Sequence, residues 1–257
     1  LTVKKVKQMI FSLGGEGGTG KSKVILAFTK FLQRIKLRHK LRIGAITGVA
    51  ANQVDGSTIS SMLRFGQSLK AQCKASDDLR KEFESVTIIF IDEISFVGCE
   101  NLQHISNRLC ELKNCDEPFG GMTVILAGDF YQIQPIGTTP LYKSADSGRN
   151  LADALAGYLK FRKVTHRVTL ERQYRMAKDP IYMDFVQRYR DGKQKPVTDN
   201  KYLQKRRLSA KNPLRTGHLS HLKEDPVIIV EGNEQRYHIN MTKAKAMAAA
   251  TGQKLFF

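Results

Sequence analysis

A glycine-rich segment near the start of the chain carries the first residues whose types and spacing suggest chemistry. Residues 15–22 read GEGGTGKS, which fits the pattern G-x-x-x-x-G-K-[ST]. Glycines here let backbone N–H groups curl around a phosphate, and a following helix adds the positive end of its dipole. Lys21 would then reach the β- and γ-phosphates of a nucleotide, and Ser22 would hold Mg²⁺. The predicted phosphate-binding residues are Gly15, Gly17, Gly18, Thr19, Gly20, Lys21 and Ser22.

Two carboxylates follow the clearest strand candidate in the chain. Residues 86–91 read VTIIFI, and Asp92 and Glu93 come directly after them. At the carboxyl end of a parallel strand, these side chains would face the ligand crevice. Asp92 would bind Mg²⁺, directly or through water, and Glu93 would orient and deprotonate an attacking water. A solvated turn is the alternative, but the position of the pair downstream of the phosphate loop favours a nucleotide motor.

A third apolar run leads into a polar turn. Residues 124–127 read VILA, and Gly128, Asp129 and, a little later, Gln132 follow them. A glutamine just past a strand end can hydrogen-bond a γ-phosphate or the attacking water, and could so report the nucleotide state. A solvated loop glutamine is the alternative for Gln132, and Asp129 is equally suited to capping the turn.

Strand-like and helix-like segments alternate around these motifs. Strands are predicted at residues 8–13, 41–47, 86–91 and 122–127, and helices at residues 21–36, 57–69 and 101–112. Further along, residues 164–170 suggest a strand and residues 180–190 a helix. Residues 191–225 resemble a linker or solvated extension, and structure is expected to resume at residues 227–230 and 243–250. The alternation predicts an α/β fold with a mostly parallel sheet and helices on both faces.

The charge balance of the chain is strongly basic. Lys and Arg total 42 against 24 Asp and Glu, a formal net charge of +18. Such an excess favours a polyanionic partner, because each phosphate contact releases condensed counterions, although a generic basic surface is the alternative. The four cysteines show no metal-binding spacing, so we interpret them as reduced thiols. No apolar run approaches the length of a membrane span, so no membrane partner is expected.

Taken in order, the motifs resemble those of one protein family. The segments GGEGGTGKS (14–22), TGVAANQVDGSTISS (47–61), FIDEISFVG (90–98) and GDFYQIQPIG (128–137) resemble motifs I, Ia, II and III of superfamily 1B helicases. The similarity is to the PIF-type branch, which includes the helicase half of Helitron transposons. This resemblance implies RecA-like P-loop NTPase domains, ATP with Mg²⁺ as cofactors, and 5′-to-3′ translocation on single-stranded DNA.

The same resemblance implies a DNA-binding segment. Thr47, Gly48, Thr58 and Ser60 fall within the stretch similar to motif Ia, which contacts DNA in the family. Their small, hydroxyl-bearing character suits contacts to backbone phosphates. The alternative for each is a helix cap or a turn residue. Ser60 stands where the family usually has histidine.

The resemblance also implies an arginine finger. Residues 170–175 read LERQYR and are similar to motif IV, in which an arginine reaches the γ-phosphate. Counting from the leucine, Arg175 matches the family arginine, and Arg172 is the rival. The sequence departs from the family at Gln134 and Met176, where proline and glutamine are usual.

These observations predict a domain organisation and a function. We expect a RecA-like ATPase domain over residues 1–160, and the motif IV region, a basic linker and the start of an incomplete second motor domain over residues 161–257. The predicted function is an ATP-dependent DNA helicase motor in DNA repair, recombination, telomere maintenance or transposition. The alternatives are a transposon-derived fragment that binds nucleotide and DNA without unwinding, and an ATPase acting on protein or RNA. We further expect no small-molecule substrate besides ATP, a monomer, and a nuclear or mitochondrial location.

Overall fold

A computed structural model describes residues 7–65, 74–144, 150–207 and 227–254 of the chain. The chain divides into two compact units, Leu1–Arg190 and Asp191–Phe257. Across the described residues, no helix combines the length and apolar character that crossing a bilayer requires.

The described strands of the first unit form one parallel sheet. They are β1 (Ile10–Gly15), β2 (Leu41–Ala45), β3 (Ser57–Thr58), β4 (Ile88–Asp92), β5 (Thr123–Gly128) and β6 (His166–Leu170). They lie in the order β3-β2-β4-β5-β1-β6, and every neighbouring pair is parallel. Gly14 pairs with Gly128, and Ile91 pairs with Leu126. The phosphate loop, the acidic pair and the turn after β5 therefore emerge at one edge of the sheet.

Helices connect these strands. The described helices of the first unit are α1 (Lys21–Arg34), α2 (Gly48–Gln53), α3 (Ile59–Met62), α4 (Asp77–Glu84), α5 (Cys99–Lys113), α6 (Leu151–Arg162) and α7 (Pro180–Arg190). Short 3-10 turns occupy Arg38–Lys40, Ile94–Phe96 and Pro118–Gly121. The second unit contains α8 (Pro196–Gln204) and α9 (Asn233–Thr251).

Buried apolar side chains cover both faces of the sheet. Ile89 and Ile91 of β4 belong to the cluster that contains Ile105 of α5. Phe90 points the other way, because side chains alternate along a strand, and it belongs to the cluster that contains Ile25 of α1. A strand buried on both faces needs a continuous apolar run, which explains the sequence of residues 86–91. The predicted parallel sheet with helices on both faces is thus confirmed.

The sequence located most of these elements, but it predicted none of the helices α2, α4 and α6. Among the segments that were predicted, three differ in kind from the structure. The helix predicted at residues 57–69 is preceded by the short strand β3 and ends at Met62 in α3, and its last positions, 66–69, lie outside the described residues. The linker predicted at residues 191–225 contains α8, because Pro196 suits a first helical position and the Asp199 carboxylate accepts a hydrogen bond from the Lys195 N–H at 2.7 Å. Residues 227–230 form no regular element, whereas α9 includes residues 243–250. The predicted division at residue 160 stays a prediction, and β6, which follows it, pairs with β1.

Candidate nucleotide-binding site

The phosphate loop joins β1 to α1 through backbone conformations that favour glycine. Gly18 and Gly20 have φ angles of 97° and 99°, which side-chain-bearing residues rarely adopt. The Lys21 Nζ donates hydrogen bonds to the carbonyl oxygens of Gly15, at 2.7 Å, and Glu16, at 3.1 Å. The Thr19 hydroxyl donates to the same Glu16 carbonyl at 2.8 Å. These contacts hold the loop in a tight turn at the N-terminus of α1.

A cleft of about 1010 Å³ lies beside this loop. Of the predicted phosphate-binding residues, it is lined by Gly17, Gly18, Thr19, Gly20, Lys21 and Ser22. Gly15 lines a neighbouring cavity of about 450 Å³ instead, together with Glu16 and Asp129. The fold thus brings all but one of the predicted loop residues to a single cleft.

The other predicted catalytic residues reach the same cleft from separate strands. Asp92 and Glu93 arrive from the end of β4, Gln132 from the turn after β5, and Arg175 from the segment after β6. A Cβ atom built on Gly17 would lie 3.5 Å from the Gln132 Nε2 and 3.7 Å from the Arg175 Nη1. Both side chains therefore lie against the phosphate loop.

In the acidic pair, Asp92 is buried and Glu93 is half-buried with an unusual backbone conformation. The Asp92 Oδ1 accepts a hydrogen bond from the Glu93 N–H at 2.9 Å. Glu93 adopts a left-handed backbone conformation, with φ 55° and ψ 45°. Among the described residues, no hydrogen-bond partner reaches its buried Oε2 atom. A strained backbone and an unsatisfied buried oxygen are features that cluster at functional sites.

Burial shifts the ionisation of these groups. Loss of solvent raises the pKa of Asp92, and it raises the pKa of Glu93 together with the nearby Asp92 charge. Loss of solvent likewise lowers the pKa of Lys21, while the carboxylates of Asp129, Glu93 and Asp92 oppose that change. The cleft therefore concentrates titratable groups that act on one another, as catalytic sites do.

The oxygen atoms near the loop suit Mg²⁺. Ser22 and Asp92 line one cleft and offer a hydroxyl and a carboxylate, which are hard ligands. Within the described residues, no cluster of three or more His, Cys, Asp or Glu side chains could hold a metal by itself. Mg²⁺ fits this donor set, because it commonly keeps several waters and takes further oxygens from substrate phosphates.

The sequence left open whether Arg175 or Arg172 reaches the phosphate loop, and the two side chains lie in different places. Arg175 lines the cleft, and its charge contributes to the pKa values of Lys21 and Glu93. Arg172 instead lies over the ring of Tyr174, with 5.1 Å between its Cζ and the ring centroid. The structure therefore places Arg175, rather than Arg172, beside the phosphate loop, and its role as a finger stays a prediction.

Sequence reasoning missed an ion-pair network behind the loop. Arg190, the last residue of α7, contacts Asp129 through two hydrogen bonds, of 2.9 and 2.7 Å, and its Nε lies 3.0 Å from the Glu16 Oε1. Its guanidinium also lies 4.3 Å from the Tyr131 ring centroid. Burial alone would raise the pKa of Asp129, but the Arg190 and Tyr131 hydrogen bonds bring it below its usual value. The Arg-Asp-Gly turn at residues 190–192 was the available signal in the sequence.

The predicted DNA-binding residues occupy helix starts. The Thr47 hydroxyl accepts a hydrogen bond from the Ala50 N–H, and the Thr58 hydroxyl accepts one from the Ser61 N–H, each at 3.2 Å. Both threonines are therefore N-caps, of α2 and α3. Gly48 and Ser60 are exposed. A role of these four residues in DNA binding stays a prediction.

The fold and the cleft are those of the P-loop nucleoside triphosphatase class. A glycine-rich loop with its lysine joins a strand to a helix, and an acidic pair ends a second strand of the same parallel sheet. The family model for PIF1-like helicases matches residues 2–199. The chain belongs to the PIF1-like helicase family.

Individual relatives agree with this assignment. The chain is 25% identical over 249 residues to the ATP-dependent DNA helicase PIF1 of Saccharomyces cerevisiae, covering 95% of this chain and 27% of that protein. It is 30% identical over 142 residues to the ATP-dependent DNA helicase RRM3 of the same species, covering 53% of this chain and 19% of that protein. The chain thus spans about a quarter or less of the length of these relatives.

Solved structures show the same fold. Pif1 helicase from Bacteroides, in complex with ADP-AlF3 and ssDNA, superposes with a TM-score of 0.69 at 22% identity, covering 94% of this chain and 54% of that chain. Pif1 helicase from Candida albicans gives a TM-score of 0.66 at 21% identity, covering 92% and 50%. These neighbours confirm the predicted RecA-like fold.

Proposed function

We propose that this chain is the ATP-binding core of a DNA helicase motor that moves 5′-to-3′ along single-stranded DNA. The observation that carries the proposal is the convergence of Lys21, Asp92, Glu93, Gln132 and Arg175 on one cleft from four separate segments. Phosphoryl transfer depends mainly on positioning and on electrostatic stabilisation, and these residue types supply both.

Each residue has a defined task in hydrolysis. Lys21 leaves the loop carbonyls and binds the β- and γ-phosphates, and Glu93 accepts the proton of the attacking water. Gln132 orients that water, and Arg175 stabilises the charge that develops on the γ-phosphate. Ser22 and Asp92 would hold Mg²⁺, which neutralises phosphate charge when bound.

The position of the segment similar to motif Ia supports coupling between DNA and nucleotide. Thr47 lies two residues after β2, and Thr58 is the last residue of β3, at the same carboxyl edge as the phosphate loop. Helix α2 begins after Thr47 and ends at Gln53, which lines the nucleotide cleft. This helix therefore offers a direct connection through which nucleotide state could alter DNA contacts. The net charge of +18 favours the DNA partner.

The proposal is tested by measuring ATP hydrolysis with and without single-stranded DNA. We expect DNA to stimulate hydrolysis, and Lys21→Ala to abolish it. Lys30→Ala, which removes an exposed lysine of α1, serves as the matched control and keeps wild-type activity. Normal hydrolysis by Lys21→Ala would contradict the assigned site. Nucleotide and DNA binding without hydrolysis would instead support the non-unwinding alternative.

A second measurement addresses the partner. Binding of single-stranded DNA and RNA of equal sequence is compared with an ATP analogue and with ADP. We expect DNA affinity to depend on the nucleotide. The two backbones differ only in the 2′-hydroxyl of RNA. Tighter binding of RNA would therefore show that the site recognises this group, and it would contradict a DNA motor. The roles in repair, recombination, telomere maintenance or transposition, the monomeric state and the nuclear or mitochondrial location remain proposals based on the family.

A further inference from the structure

Every carbonyl oxygen from residue 15 to residue 18 accepts a hydrogen bond. The Lys21 Nζ donates to the carbonyl oxygens of Gly15 and Glu16. The Gln173 Nε2 donates to the Gly17 carbonyl at 2.9 Å, and the Tyr174 N–H donates to the Gly18 carbonyl at 3.0 Å. Two of these four carbonyl oxygens are thus bonded by the distant segment that follows β6.

Gln173 uses both ends of its amide. While its Nε2 contacts the phosphate loop, its Oε1 accepts a hydrogen bond from the Arg175 N–H at 3.0 Å. The approach is close: a Cβ atom on Gly18 would lie 2.3 Å from the Gln173 Oε1 and 2.5 Å from the Arg175 Cβ. One neutral side chain therefore joins the loop to the backbone of the arginine.

We propose that Gln173 is a positioning residue that fixes Arg175 relative to the phosphate loop. The inference rests on the proposed function, in which Arg175 stabilises charge on the γ-phosphate. Lys21 must leave its carbonyl partners to bind phosphate. Gln173 does not line the cleft, so its contact with the Gly17 carbonyl can persist when the nucleotide binds. Gln173 therefore holds the loop and the arginine together during the reaction.

The test compares binding of MgADP with binding of MgADP plus aluminium fluoride, which mimics the transferring phosphoryl group. Gln173→Glu keeps the acceptor and loses the donor, and Gln173→Met loses both without adding charge. We expect either variant to bind MgADP within about threefold of wild type and the mimic about tenfold or more weakly, because small misplacements of a catalytic group are costly. Gln33→Glu, the same change on the exposed side of α1, should alter neither affinity.

A double-mutant cycle shows whether Gln173 acts through Arg175. In the Arg175→Ala background, the Gln173 substitutions should cause no further loss of affinity for the mimic. The inference would be overturned if both Gln173 variants kept the wild-type preference for the mimic over MgADP. It would also be overturned if the affinity losses of the Gln173 and Arg175→Ala substitutions multiplied in the double variant. Either result would leave the proposed function intact. If the wild-type chain bound no MgADP, the proposed function itself would be overturned. If it bound MgADP but did not prefer the mimic, both the proposed role of Arg175 and this inference would be overturned.

Discussion

The nucleotide cleft and the segment similar to motif Ia lie at the same edge of one sheet, yet their polar side chains are placed differently. In the cleft, Asp92 and Glu93 are desolvated, and the buried Glu93 Oε2 lacks a partner among the described residues. In the other segment, the hydroxyls of Thr47 and Thr58 cap helices. A buried carboxylate oxygen without a hydrogen-bond partner, as in Glu93, is typical of a site that binds a ligand. The hydroxyls of Thr47 and Thr58 already have a structural role, because they cap helices.

Among variants that should still bind nucleotide, the largest expected effect comes from Glu93→Gln. Hydrolysis should fall by about 10²- to 10⁴-fold, because the proposed general base is lost. MgADP binding should be kept, because the substitution removes a carboxylate that repels Asp92. Glu84→Gln, on the exposed end of α4, is the control. If Glu93→Gln hydrolysed ATP as fast as wild type, Glu93 would not be the general base. The cleft would then no longer differ from the segment similar to motif Ia in having a catalytic carboxylate.

Arg190→Gln should destabilise the protein by about 3 kcal/mol near neutral pH, since it leaves the buried Asp129 carboxylate unpaired. Arg190 keeps the pKa of Asp129 low in the folded state, so this stabilisation is present above the unfolded pKa of about 4 and is lost as pH falls through the folded value. Denaturation at pH 7 and below pH 4 measures the difference. Arg64→Gln, at an exposed ion pair with Glu82, should cost less than about 1 kcal/mol.

Two glycines of the phosphate loop form a matched pair. Gly18→Ala and Gly20→Ala introduce similar backbone strain, because both positions have φ near +100°. Only the Gly18 substitution also collides with Gln173 and Arg175, whereas the space at Gly20 is open. We expect Gly18→Ala to be about 2 kcal/mol more destabilising in urea denaturation. Equal losses of stability in the two variants would show that the segment after β6 can move to accommodate the added methyl group at little cost.

The smallest effects are expected at the helix caps. Thr47→Val and Thr58→Val should each cost about 1 kcal/mol, and serine at either position should preserve stability. If the hydroxyls also contact DNA, the valine variants lose DNA affinity beyond their loss of stability, and the serine variants do not. Binding measured well below the melting temperature separates the two roles. Unchanged DNA affinity in both valine variants would assign the hydroxyls to capping alone.

Local chemistry in the sequence determined the phosphate loop, the acidic pair after β4, the order of strands and helices, and the bounds of α7. These features depend on glycine, on charged residues at strand ends and on the period of apolar residues, all of which are visible within a short window. The sequence did not predict α8 within residues 191–225, where a proline and a capping aspartate outweighed the polar composition, and it did not predict α2, α4 or α6.

Only the tertiary structure decided which distant residues meet. The insertion of β6 beside β1 brings Gln173 and Arg175 to the phosphate loop and leaves Arg172 outside the cleft. The same packing joins Arg190 to Asp129 and Glu16, and it removes solvent from Glu93. Such contacts join segments far apart in the chain and leave no local period. The resemblance to motif IV pointed to Arg175, with Arg172 as the rival, but the sequence did not indicate the contacts of Gln173 and Arg190.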